Sequence, residues 1–194
     1  MELTSASLLG RLRDGRDPDA WGRVLDLYGP LMRGWAERLG VRGADADDLV
    51  QDVLAVVVRR FPEFVHPEKP GAFRGWLRAI AVNCARDFWR ARRFTPTAPG
   101  GTDFGSYLDQ LEDPDHPLSQ EWDREHDVYL TRRLLDRLKG EFEPRTWDLF
   151  HRFVLDGVAA DAVAAEFGTT PNAVYIAKSR VLARLREEAA GLIG

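Results

Sequence analysis

The sequence predicts an all-α protein: two small helical domains joined by an acidic linker. Three observations predict it. Apolar residues recur with helical period in both halves of the chain, and no stretch alternates in the manner of a half-buried strand. Charge is uneven: residues 1–94 carry 16 basic and 13 acidic groups, residues 95–127 one and nine, and residues 128–194 ten and nine. The acidic excess coincides with a run rich in Pro, Gly and Asp, from Thr95 to Pro117, which has linker composition and no helical period before about Leu118. The expected organisation is a first domain over 1–94, a linker over 95–118 and a second domain over 119–194.

Bulk properties narrow the class. A chain of 194 residues with 44% hydrophobic and 30% charged residues is that of a globular protein. No apolar run approaches the roughly 18 to 20 residues of a membrane span. The opening Met-Glu-Leu-Thr-Ser has neither the basic nor the apolar stretch of a signal peptide. The single cysteine, Cys84, has no internal partner for a disulfide, and a cytoplasmic location is expected. The histidines His66, His116, His126 and His151 show no metal-ligand spacing, so neither a metal nor a cofactor is expected. No phosphate-binding loop, nucleophile elbow or zinc-protease motif is present, and no enzymatic activity is expected.

Four helices are expected in the first domain. The first spans about Ser5 to Arg13. The second runs from Pro18 to Leu39, with a break at Gly29-Pro30 left open. The third begins at Asp45, whose side chain can cap it, and stops before Pro62. Its first turns read Asp45-Ala-Asp47-Asp48-Leu-Val-Gln51-Asp52, which places Asp48, Gln51 and Asp52 on one face. Acids here complement the helix dipole, and they also suit docking of a basic partner.

The fourth helix runs from about Pro70 to Arg93. Phe73, Trp76, Leu77, Ile80, Ala81, Cys84 and Phe88 form one apolar stripe. The other side carries Arg74, Arg78, Arg86, Arg90, Arg92 and Arg93 against one acid, Asp87, with Trp89 projecting among them. Arginine forks to phosphate, and an exposed aromatic ring offers a stacking surface to an unpaired base. A solvated amphipathic helix would show the same arginines.

The second domain should hold one helix over 119–139, another over 144–155, and a helix-turn-helix pair over 158–186. Gly168 stops the first helix of that pair. Thr169 or Thr170 caps the second, and Pro171 fits its first turn. From Pro171 to Arg186 there is no acid. With Val174, Val181 and Leu185 inward, the outward face is Asn172, Ile176, Ser179, Arg180 and Ala183. A basic helix across a tight turn has the geometry that enters a DNA major groove.

Taken together, these blocks resemble the sigma-70 family of bacterial transcription initiation factors, in its short extracytoplasmic-function (ECF) type. Residues 45–54 resemble its region 2.2, residues 73–90 its regions 2.3 and 2.4, and residues 158–186 its region 4.2. The resemblance implies core RNA polymerase and promoter DNA as partners, with an anti-sigma factor as a partner of many members. It assigns Asp47, Asp48, Gln51 and Asp52 to polymerase docking. It makes Phe64, His66 and Lys69 of the loop, together with Arg74, Arg78, Asn83, Arg86, Trp89, Arg90 and Arg93, candidates for the promoter −10 element. Region 4 would read the −35 duplex. There the residues favoured for base or phosphate contact are Asn172, Tyr175, Ser179 and Arg180, with Lys178 and Arg184 toward phosphates and Ile176 toward a thymine methyl. Lys178 stands where the family usually has Leu. Two other readings remain: a helix-turn-helix regulator that binds duplex by itself, and a helical protein that sequesters polymerase or a regulator.

Overall fold

The computed structural model describes residues 8–13, 18–65, 71–92 and 103–193. They contain no β-strand. The helices are α1 Leu8–Arg13, α2 Pro18–Arg38, α3 Ala44–Arg60, α4 Ala72–Arg92, α5 Phe104–Glu112, α6 Pro117–Leu138, α7 Pro144–Phe150, α8 Ala160–Glu166 and α9 Pro171–Ala189. A 3₁₀ turn over Phe61–Glu63 follows α3, and a π-helical turn over His151–Leu155 follows α7. The chain divides into two compact units at Leu130–Thr131, inside α6. The first is Leu8–Leu130 with the last residues from Gly191; the second contains Thr131–Ala190.

In the first unit α2, α3 and α4 build the core. Val24, Leu27, Tyr28, Leu31, Met32 and Trp35 of α2 are all buried. They lie on both sides of Pro30, and α2 runs through it unbroken. An interior proline costs about 3 kcal/mol, whereas each large apolar side chain buried contributes about 1.5–3 kcal/mol. The packing therefore outweighs the break. Leu49, Val53 and Val57 of α3 and Phe73, Leu77 and Ile80 of α4 complete this core.

The start of α3 corrects one expectation. Its N-cap is Gly43, at φ 61°, with no side-chain cap. Asp45 lies in the first turn instead and pairs with Arg92 of α4.

A larger difference lies in the acidic segment expected as linker. Its residues 104–112 form α5, capped by Asp103, whose Oδ2 accepts from the Ser106 N–H at 3.1 Å. Phe104, Leu108 and Leu111 are buried, and α5 packs on α4. The Ser119 hydroxyl donates to the Leu111 carbonyl at 2.8 Å, tying α5 to the start of α6. On α6, Trp122 stacks on Trp35 with ring centroids 3.5 Å apart, and the His126 ring lies parallel to both. His126 is 0% exposed, and its Nδ1 lies 3.0 Å from Asp127 Oδ1.

The second unit packs α7, α8 and α9 around two apolar clusters. One joins Leu149, Val163, Val174 and Ala177; the other joins Leu135, Trp147, Phe150 and Val181. Here local chemistry behaves as expected. Gly168 takes φ 59° after α8. The Gly168 N–H then reaches the Ala165 carbonyl and the Thr169 N–H the Ala164 carbonyl, the two bonds of a Schellman stop. Thr170 caps α9, its hydroxyl accepting from the Ala173 N–H at 3.3 Å, and Pro171 occupies the first turn.

Two measurements check this account. Burial holds the His126 imidazole below its ordinary pKa of 6.5, against the raising influence of the Asp127 hydrogen bond and charge. The unfolded chain takes up that proton at the ordinary value. Stability from neutral His126 is thus present above about pH 6.5 and is lost as pH falls below it. Denaturant midpoints for the first unit should fall from pH 7 to pH 5, and His126→Phe should flatten that slope. The Thr170→Ala variant should lower the opening free energy of amides in the first turn of α9 by about 1 kcal/mol, measured by hydrogen exchange.

Candidate nucleic-acid interface

Helix α4 has more arginines than it can show to a ligand, and its neighbours sort them. Arg78 is only 4% exposed: it pairs with Asp123 of α6, and its Nη1 donates to the Ser119 carbonyl at 3.3 Å. Arg74 pairs with Asp127, and its Nε lies 3.2 Å from Asp123. Asp127 is held below the usual carboxylate range. Burial opposes that shift, but hydrogen bonds with His126 and Arg74 outweigh it. The expectation that Arg74 and Arg78 form part of an outward cationic face is therefore corrected. Helix α6 covers them, and they serve as a clamp between α4 and α6.

Arg86 occupies an intermediate position. Its Nη2 lies 2.5 Å from Asp109 and its Nη1 2.7 Å from Glu112, both on α5. Nη1 also donates to Asn83 Oδ1 at 3.3 Å. Partial burial works against the Arg86 charge, but these bonds more than offset it and its pKa is raised. The Arg86 side chain is 25% exposed, while those of Asp109 and Glu112 are 74% and 42% exposed. Pairs open to solvent to this degree each contribute about 0–1 kcal/mol.

Arg90 is the outward cation. It is exposed, with its Nη1 3.0 Å from Asp87 one turn back, itself exposed. Asn83, Asp87 and Arg90 fall along one exposed strip of α4. Half-buried Trp89 meets Phe88 and Phe104 edge-on. Trp76 packs in an aromatic group with Phe61, Phe64 and Phe73, so Phe64 is anchored by rings. His66, Lys69 and Arg93 lie outside the described residues.

Helix α3 presents Asp47, Asp48, Gln51 and Asp52 to solvent. Asp47 pairs with Arg33 of α2. Asp48, Gln51 and Asp52 make no ion pair or hydrogen bond among the described residues. The Cys84 thiol is pushed up to about 11 by burial and by Asp52 and Asp87, so it stays protonated at neutral pH and is a poor nucleophile.

In the second unit α9 exposes Asn172, Tyr175, Ile176, Ser179 and Arg180 on one side. Tyr175 meets Phe153 of the π-helical turn edge-on at 5.4 Å, and Lys178 Nζ sits 5.4 Å from the same ring. That cation–π contact accommodates a lysine at a half-buried position. Arg184 is tied to Glu141 at 2.8 Å and Glu188 at 2.5 Å, so its head faces these acids. Sequence reasoning missed the acids that sort these cations. Asp109 and Glu112 were legible only once Phe104, Leu108 and Leu111 were taken as a helical stripe.

Among the described residues no cluster of three or more His, Cys, Asp or Glu could hold a metal ion. No described helix is long and apolar enough to cross a membrane.

Known proteins resemble this chain over most of its length. Residues 24–95 match the family described as Sigma-70 region 2, a span that runs from α2 through α4. The RNA polymerase sigma factor CarQ of Myxococcus xanthus is 30% identical over 178 residues, covering 91% of this chain and 92% of that protein. The RNA polymerase sigma factor CnrH of Cupriavidus metallidurans is 31% identical over 86 residues, 44% of each chain. The chain belongs to the sigma-70 family, in its extracytoplasmic-function type, and is a transcription initiation factor that binds core RNA polymerase and directs it to promoters.

Proposed function

We propose a division of labour among three exposed surfaces. Helix α3 docks core polymerase through Asp47, Asp48, Gln51 and Asp52. Helix α4 holds the unpaired −10 strand through Asn83, Arg86 and Arg90, with Trp89 and Phe64 as flanking rings. Helix α9 reads the −35 duplex through Asn172, Tyr175, Ile176, Ser179 and Arg180. The supporting observation is the separation of charge. The acids of α3 stand exposed, with no ion pair at Asp48 or Asp52 among the described residues, while exposed cations stand on α4 and on α9.

The protein does no chemistry of its own in this reading. Capturing an extruded base offsets part of the few kcal/mol that unstacking costs, and polymerase supplies the remaining contacts. A regulator that binds duplex alone would use α9 and leave the α3 and α4 surfaces without a task. Its location is that of the polymerase it serves, the cytoplasm.

Reconstitution with core polymerase and a promoter library tests the assignment. Arg90→Ala should reduce open-complex formation about tenfold with little change in polymerase affinity. Asp48→Arg should do the reverse and weaken core binding at least tenfold. Arg180→Ala should lower promoter discrimination without affecting core binding. Equal effects of Arg90→Ala and Asp48→Arg in both assays would contradict the division.

A further inference from the structure

Arg86 is a cation with two claimants. The −10 role proposed above needs its guanidinium free for phosphate or base. In the structure that guanidinium is occupied by Asp109 and Glu112 from one side and by the Asn83 carbonyl oxygen from another. We infer that α5 is a built-in electrostatic mask: its two carboxylates compete with single-stranded DNA for Arg86 and, through Arg86, hold Asn83 in an engaged rotamer. This inference rests on the assignment of α4 to the unpaired strand.

The geometry says what must move and what need not. Helix α5 is nine residues long, shorter than a helix that persists alone, and it is held by Phe104, Leu108 and Leu111 beneath it. Those side chains can stay buried while the mask opens, because both carboxylates lie on the solvent side, Asp109 74% and Glu112 42% exposed. The competition is for one guanidinium, not for the helix. The inner pairs on Arg74 and Arg78 differ in kind. They are under α6, and a ligand would have to displace that helix to reach them. Opening the mask therefore frees the Arg86 guanidinium, and with it the Asn83 side-chain oxygen, and leaves the fold intact.

A second consequence follows from charge. An approaching phosphate meets Asp109 and Glu112 before it meets Arg86, and at low ionic strength their repulsion extends over a Debye length of about 10 Å or more. The free factor is thus biased against DNA until something compensates these carboxylates or delivers the strand at high effective concentration. Polymerase, which presents the melted strand next to the bound factor, does the latter.

Full-length protein and a fluorescent 20-nucleotide single-stranded DNA, followed by anisotropy at low salt, provide the test. The Asp109→Asn, Glu112→Gln double variant removes two charges without removing the α5 packing. It should bind about fivefold or more tightly than the unsubstituted chain. Adding Arg86→Ala should abolish the gain. A control, Asp115→Asn with Glu121→Gln, makes the same change in net charge at exposed acids that form no ion pair among the described residues, and it should gain less than twofold. The inference is overturned by unchanged affinity, by an equal gain in the control, by a gain that survives Arg86→Ala, or by no measurable binding in any variant. Circular dichroism and core-polymerase pull-down on the same preparations separate the alternatives. If the unsubstituted chain fails to bind core polymerase, the assigned role itself is at fault. If it initiates normally but the double variant shows no gain, only the mask is.

Discussion

The contact on which the first unit depends is the buried clamp of Arg74 and Arg78 on Asp123 and Asp127. Taking four charged groups out of water is costly, and a partly buried pair returns that cost only with good geometry and full hydrogen bonding. Here the requirement is met in part: Arg74 Nε and His126 Nε2 are buried with no hydrogen-bond partner among the described residues, while the other contacts are well made. Each aspartate is shared or doubly bonded, Arg78 adds a backbone carbonyl, and Asp127 also engages His126. Losing one member would strand a desolvated charge, a change that costs about 3–5 kcal/mol in comparable buried pairs. Apolar stacking, as of Trp35 on Trp122, is less directional than charge-assisted hydrogen bonds, which fix one pairing. The clamp thus sets the register of α6 on α4, and that register decides which strip of α4 faces water.

Once the register is set, arginines identical in sequence acquire different tasks. Arg78 is structural because α6 covers it. Arg90 is available because, among the described residues, its one ion pair is with the neighbouring exposed Asp87. Arg86 lies between, at the edge of α5. The same sorting occurs on α9. Arg180 faces solvent, while Arg184, one turn on, is tied to Glu141 and Glu188. Charge count along a helix is therefore a poor guide to ligand contact. The partner acids on other elements, at 23 to 53 residues' remove for Asp109, Asp123 and Asp127, determine which cations remain.

This explains what was legible beforehand. Most helices follow from local pattern: the stripe of α4, the Gly168 stop, the Thr170 cap and the acid-free α9 all sit where residue chemistry puts them. The exposed face of α9 also followed, since Val174 and Val181 define its inner side. Three features depended on distant neighbours and were not legible. Helix α2 continues through Pro30 because packing on both sides outweighs the local penalty. Asp45 serves Arg92 rather than a cap because α4 lies within reach. Helix α5 hides in a Pro- and Gly-rich context, and its three apolar residues reveal a helix only when α4 supplies a surface for them. Composition identified the acidic segment correctly but could not show that Asp109, Glu112, Asp123, Glu125 and Asp127 pair with the protein's own arginines.

The partition of negative charge then gains a physical rationale. Within residues 103–127, Asp109, Glu112, Asp123, Glu125 and Asp127 pair with the protein's own arginines, whereas Asp48 and Asp52 of α3 are exposed and make no ion pair among the described residues. If the α5 and α6 acids were also free, a basic groove on a partner would meet several competing acidic surfaces, and docking would lose its orientation. If the α4 arginines were all free, the factor would adhere to nucleic acid through non-specific phosphate contacts before meeting polymerase. Internal neutralisation removes both problems at once. In the proposed reading it leaves the α3 acids to dock polymerase and keeps Arg86 of α4 engaged until the separated strand is delivered.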